Sequence, residues 1–163
     1  MAAFPVPPQV RLLEAGRAHG GEIDALVAAF HRHEGVSMRA RARRASIDKL
    51  LEMPAQGRIL LIRTDSAETA GYAIMAFGFS LEFGGRDAFL DELFVAEAYR
   101  GQGIGKAALQ AVCAWAHREG LCALHLEVER DNKPAKALYA QIGFEDRSRY
   151  HLMSLHITDV RNG

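Results

Sequence analysis

Apolar residues recur at helical spacing from Ile104 onward, through Ala108, Ala111, Val112 and Trp115, and this stripe predicts a helix. Just before it, residues 90–95 mix apolar and acidic side chains in a short strand, and a glycine-rich turn joins the two. Nearer the N-terminus, residues 10–14 read as a short strand. Gly20 and Gly21 then lead into a helix with Ile23, Leu26, Val27 and Phe30 on one face, ending near Gly35. A second helix is predicted over residues 42–53, with Ile47, Leu50 and Leu51 inward and Pro54 beyond its end. Residues 58–64 form an apolar run that suits a buried strand. Residues 70–80 form another, apolar on both faces, and a polar turn at 65–69 separates them. Phe83-Gly84-Gly85 turns the chain into the strand that starts near Ala88.

These strands follow one another by short loops, so this part of the sheet is expected to be antiparallel. After Val95 the order becomes helix, strand (residues 124–128) and helix (residues 135–142), which implies a right-handed parallel crossover. A last strand pair, near 144–149 and 150–157, would close the sheet. The expectation is a single-domain α/β fold over residues 1–163. Its mixed, mostly antiparallel sheet has about seven strands, one parallel pair and helices on both faces.

Length and charge narrow the function. A chain of 163 residues suits one domain that buries roughly two-thirds of its unfolded surface. The formal net charge is zero, which argues against nucleic-acid binding through a broad basic face. Arg39, Arg41, Arg43 and Arg44 read as a solvated helix face. Cys113 and Cys122 have neither metal-ligand spacing nor a disulfide framework, and they read as small buried thiols of a reducing cytosol. No stretch resembles a spanning helix, and residues 1–8 read as a proline-rich, loosely ordered tail rather than a signal peptide. The sequence therefore suggests a cytoplasmic protein with no membrane partner. His31 and His33 point to different helix faces, so no metal is expected, and both read as part of a solvent-facing helix end. His125 reads as structural.

The chemistry concentrates at residues 90–106. A strand, a turn with Gly101, Gly103 and Gly105, and a helix start together make a place for phosphate, because the first helical N–H groups have no intrahelical partner. A P-loop is excluded: Arg100 stands where its first glycine should, and Ala107 follows Lys106 in place of Ser or Thr. The dinucleotide fingerprint is met literally by Gly103, Gly105 and Ala108. Five residues separate the strand from these glycines, however, and the chain is too short for two mononucleotide-binding halves.

Arg100, Gly103 and Gly105 fit the pattern Arg/Gln-x-x-Gly-x-Gly/Ala. The stretch from Asn132 through Ala135, Leu138, Tyr139 and Gly143 to Phe144 fits Asn-x-x-Ala-x-x-Leu-Tyr-x-x-x-Gly-Phe at every fixed position. In this order the two signatures resemble those of the GNAT superfamily of acyl-CoA-dependent N-acetyltransferases. The resemblance implies acetyl-CoA as acyl donor, with its pyrophosphate on Arg100, Gly101, Gln102, Gly103, Ile104, Gly105 and Lys106. It further implies two parallel strands that splay apart, the backbone of Leu93, Phe94 and Val95 pairing with the pantetheine arm as an extra strand would. Asn132 would contact the cofactor or cap its helix. Tyr139 would donate a proton to the departing thiolate, since a phenol has a pKa about 1.5 units above that of a thiol.

The acceptor would be a small-molecule or protein amine. A free alkylamine has a pKa of about 10.4 and enters mostly protonated, so a carboxylate is needed to take its proton. Asp91 and Glu92 are even candidates; in a regular strand they face opposite sides of the sheet, so only one could serve. Glu82 is a further candidate, and His33 and Glu34 lie where the family shapes its acceptor pocket. Homodimers are common in the family. A non-catalytic acyl-CoA-binding module on the same fold is the alternative function.

Overall fold

The computed structural model describes residues 9–157. Strand β1 (Val10–Glu14) leads through a 3-10 turn into helix α1 (Gly20–Glu34) and helix α2 (Ala40–Glu52). Strands β2 (Gly57–Thr64), β3 (Thr69–Ser80) and β4 (Gly85–Val95) follow, then helix α3 (Ile104–Arg118), strand β5 (Ala123–Leu126) and helix α4 (Lys133–Ile142). Space order equals chain order, β1-β2-β3-β4-β5. The first three pairings are antiparallel and β4–β5 is parallel. The mixed sheet and its single parallel pair match the sequence expectation.

Both faces of the sheet are covered, which explains the unbroken apolar run in β2. Successive residues point to opposite sides. Leu60, with Ala73, Met75, Ala88 and Leu90, packs against Leu109, Val112 and Trp115 of α3. Ile59 and Leu61, with Tyr72 and Phe94, pack against Ile23 and Val27 of α1 and Ile47 of α2. Trp115 stacks on Phe77 at 6.3 Å, and its Nε1 donates to Glu14 Oε1 at 3.0 Å, joining α3 to the far strand β1. The arginine run of α2 is less free than its composition suggests. Arg43 Nε donates to Asp24 Oδ1 at 2.8 Å and ties α2 to α1.

Two expectations need correction. Among the described residues the sheet has five strands, and neither 144–149 nor 150–157 joins it. Glu145, Asp146, Arg147, Ser148 and Arg149 favour solvated turn over pleated sheet, and Tyr150 N donates to Arg147 O in a turn. The apolar side chains beyond it stay in solvent, with Met153 92% exposed. Cys122 is exposed rather than buried, its thiol donating to Arg86 O at 3.0 Å. The tail expected over residues 1–8 lies outside the described residues.

Candidate active site

The site begins where β5 leaves β4. Their parallel pairing runs from Asp87 with Ala123 to Leu90 with Leu126 and stops there, while β4 continues to Val95. From Asp91 onward β4 therefore offers an open edge on the β5 side. This is the separation that the two signatures imply.

At the same point β4 carries a bulge. Met75 pairs with Leu90 and Ile74 with Glu92, so Asp91 is an extra residue with no partner on β3. The bulge removes the regular strand on which the expectation that Asp91 and Glu92 face opposite sides depends. Negative charge at Asp91 pushes up the pKa of both Glu92 and Tyr72.

Glu92 belongs to the α1 face. Its side chain is 16% exposed, and Oε2 accepts a 2.6 Å hydrogen bond from Tyr72 Oη. Oε1 stands 3.6 Å from Nε2 of His31, whose side chain is 12% exposed. Burial raises the carboxyl above its ordinary pKa, while the Tyr72 hydrogen bond and His31 pull it back down. Burial first, and then the Glu92 charge, push the Tyr72 phenol far upward, so it remains a donor. Asp91 is exposed as a residue, yet partial desolvation by the surrounding chain also raises its carboxyl.

His31 thus corrects the sequence reading of a solvent-facing helix end. Its ring turns inward beside Phe30, and its Nδ1 is buried without a hydrogen-bond partner among the described residues. Such a group costs about 1–3 kcal/mol, so the position is held by something other than its own satisfaction. Tyr72 was not singled out from sequence, and His31 was read there only as part of a solvent-facing helix end. Tyr72 sits in an apolar strand and reads as core, and only the fold brings residues 31, 72 and 92 together.

The glycine turn follows β4. Gly101 at φ 72° and Gly103 at φ 79° adopt left-handed backbone, where a side chain would be strained. Gly103 is the N-cap of α3 and supplies no side chain, so the N–H groups of the first turn carry no side-chain cap. Ile104 is buried against Ile62 and Ala108, anchoring that turn to the sheet, while Lys106 and Gln102 are exposed. Arg100 Nε donates to Val95 O at 2.9 Å, and its guanidinium lies 5.4 Å from the Phe94 ring centroid. The turn is in this way fastened to the end of β4. Phe94 is buried toward α1, whereas Leu93 and Val95 pack on the α3 side, leaving backbone rather than side chains along the open edge. The donors present suit a pyrophosphate followed by an amide-bearing arm.

Asn132 Oδ1 accepts from Ala135 N at 3.1 Å and caps α4. The capping alternative is therefore realised. Tyr139, half-buried on α4, packs with the α3-side core and contacts Phe144 at 5.8 Å; burial pushes its phenol pKa up. The remaining candidates lie elsewhere. Glu82, at the β3–β4 hairpin tip, pairs with Arg147 at 2.9 Å and lies roughly 20 Å from Glu92 at about 3.3 Å per residue. His33 and Glu34 are exposed and face each other at 3.9 Å. His125 Nε2 pairs with Asp87 Oδ2 at 3.2 Å. Among the described residues no group of His, Cys, Asp and Glu is placed to hold a metal ion, and no helix is long and apolar enough to cross a membrane.

The chain resembles known proteins in sequence and in fold. A bovine thialysine N-epsilon-acetyltransferase is 37% identical over 76 residues, covering 47% of this chain and 44% of that protein. A mycothiol acetyltransferase from Jonesia denitrificans is 43% identical over 58 residues, covering 36% and 18%. The match thus spans less than half the length of these relatives. Among solved structures, an integron cassette protein from the Cole Harbour Salt Marsh metagenome superposes with TM-score 0.78 at 31% identity, covering 94% and 93% of the two chains. An aminoglycoside N-acetyltransferase solved with CoA gives TM-score 0.69 at 15% identity, covering 96% and 99%, a likeness of fold alone. The family model described as Acetyltransferase (GNAT) family matches residues 22–144, from α1 through the glycine turn to the end of the second signature, and the chain belongs to that family.

Proposed function

We propose that the protein is an acetyl-CoA-dependent N-acetyltransferase in which a primary amine attacks the bound thioester directly. One observation carries this reading. The open edge of β4 beyond Leu90 leads through the glycine turn to the uncapped first turn of α3, with a half-buried carboxylate, Glu92, on that edge. Backbone groups of Leu93, Phe94 and Val95 pair with the pantetheine amides. The turn from Arg100 to Lys106 takes the pyrophosphate through N–H groups and the helix dipole.

Glu92 accepts the N–H proton of the incoming amine. The new C–N bond forms, the C–S bond breaks, and the thiolate takes a proton from Tyr139. Geometry favours Glu92 over Asp91 as base: it is the more enclosed carboxylate, and Tyr72 and His31 face its two oxygens. Relatives named for thialysine and mycothiol make small primary amines the first acceptors to screen. Two free thiols, one of them exposed, fit a reducing compartment such as the cytoplasm. Release of CoA thiol on adding a panel of amines tests the proposal. Acetyl-CoA binding without release above background would leave the non-catalytic module.

A further inference from the structure

The α1 face of the bulge holds a cluster that the acyl-binding edge does not require. Each oxygen of Glu92 has its own partner from a different element: Oε2 accepts from Tyr72 Oη at 2.6 Å, and Oε1 faces His31 Nε2 at 3.6 Å. These partners are themselves locked. The Tyr72 ring is fully buried, edge-on to Phe30 at 6.4 Å and 5.9 Å from Phe94, while Phe30 also lies 6.1 Å from the His31 ring.

We propose that His31 and Tyr72 are positioning residues that clamp Glu92 from two sides and hold its carboxylate ionised, in one orientation, beside the β4–β5 opening. The proposal rests on Glu92 acting as the proton acceptor. The physical need is plain. A half-buried carboxyl next to a second acid, Asp91, is driven toward its neutral form, which cannot take a proton from an amine. The titratable groups facing Glu92 are Tyr72 from β3, His31 from α1 and Asp91 from β4 itself. Of these, the first two favour the charged form and the third opposes it. Tyr72 can serve because its own proton is held firmly, and a hydrogen bond to an ionised acceptor is among the stronger kinds. Holding both oxygens also removes rotation of the carboxylate, so the basic lone pair stays in place between turnovers.

The test uses Tyr72→Phe, His31→Leu and His31→Gln in the full chain, with two independent readouts. Carbon-detected NMR follows the titration of the Glu92 side chain in the free protein, and the acidic limb of kcat/KM is followed with an amine acceptor. The clamp requires the Glu92 midpoint to rise by about one pH unit in Tyr72→Phe and to rise in His31→Leu. His31→Gln, which keeps an N–H donor, recovers part of the shift. The acidic limb moves upward by the same amounts. A Glu92 midpoint unchanged in both Tyr72→Phe and His31→Leu overturns the clamp, whatever the kinetics. A raised midpoint with an unmoved limb leaves the clamp standing and overturns Glu92 as proton acceptor.

Discussion

Glu92 and Tyr139 stand on opposite sides of the sheet, Glu92 with His31 and Tyr72 toward α1, and Tyr139 among the side chains packed with α3. Between these sides runs the stretch of β4 beyond Leu90 that β5 does not pair, and under the proposed function a thioester there would meet a base from one direction and an acid from the other. The division of labour makes Tyr139→Phe informative. The ring is kept, so packing survives with little loss. Turnover should fall by about 10²- to 10⁴-fold while acetyl-CoA affinity stays nearly constant. Turnover within a few-fold of wild type, measured under saturating substrates, would reduce Tyr139 to a core aromatic.

Replacing Glu92 by Gln should separate activity from stability. A carboxyl whose folded pKa is raised favours the fold while protonated. Its contribution is present below the ordinary carboxylate value and is lost as pH rises through the folded value. At pH 8 wild-type Glu92 is ionised against that preference, whereas Gln is never charged. Glu92→Gln should therefore melt no lower than wild type at pH 8, and the difference should shift toward wild type as the pH drops through the raised Glu92 value, with the shift complete below the ordinary carboxylate value of about 4.3. Its activity deficit should be greatest near neutral pH, where Glu92 is ionised and free amine is still scarce, and should narrow at acidic pH as Glu92 of the wild type is itself protonated. Asp91→Asn should keep the wild-type pH profile apart from a modest downward shift of the acidic limb, since removing the Asp91 charge eases ionisation of Glu92. Melting curves and rate profiles across pH check both statements.

The glycine turn gives a binding prediction. CoA at a hundredfold excess over its Kd should stabilise the protein by about 2.7 kcal/mol. Gly103→Ala introduces a side chain at φ 79° and should cost about 1–2 kcal/mol, yet keep most of the CoA-induced shift. Gly103→Glu should lose the shift altogether, because it adds a negative group where the phosphates bind. Thermal melts with and without CoA distinguish strain from blocked binding. An unchanged wild-type melting point at millimolar CoA would sink the cofactor assignment.

Much of this was legible in sequence, and the missing parts share a cause. Gly101, Gly103 and Gly105 announced a turn, which the structure builds with left-handed backbone at Gly101 and Gly103, and the stripe from Ile104 to Trp115 announced the buried face of α3. Such signals are local. The bulge at Asp91 is not, since it exists only as a register difference between β4 and β3. The contacts of Tyr72 and His31 with Glu92 were hidden for the same reason, since they appear only when α1 and β3 are brought together. The C-terminal stretch failed differently. Its alternation from Tyr150 to Ile157 suits a strand, but the charged run before it turns the chain away from the sheet.

The central claim is acetyl transfer to an amine at the β4–β5 opening, and the most direct measurement is amine-dependent thiol release from acetyl-CoA. With diamines, amino acids, amino sugars and short peptides supplied in turn, wild type should release thiol faster than its amine-free background with at least one acceptor. The rate should saturate, and it should collapse in Tyr139→Phe. Acetyl-CoA binding accompanied by no amine-dependent release across the whole panel would contradict the account.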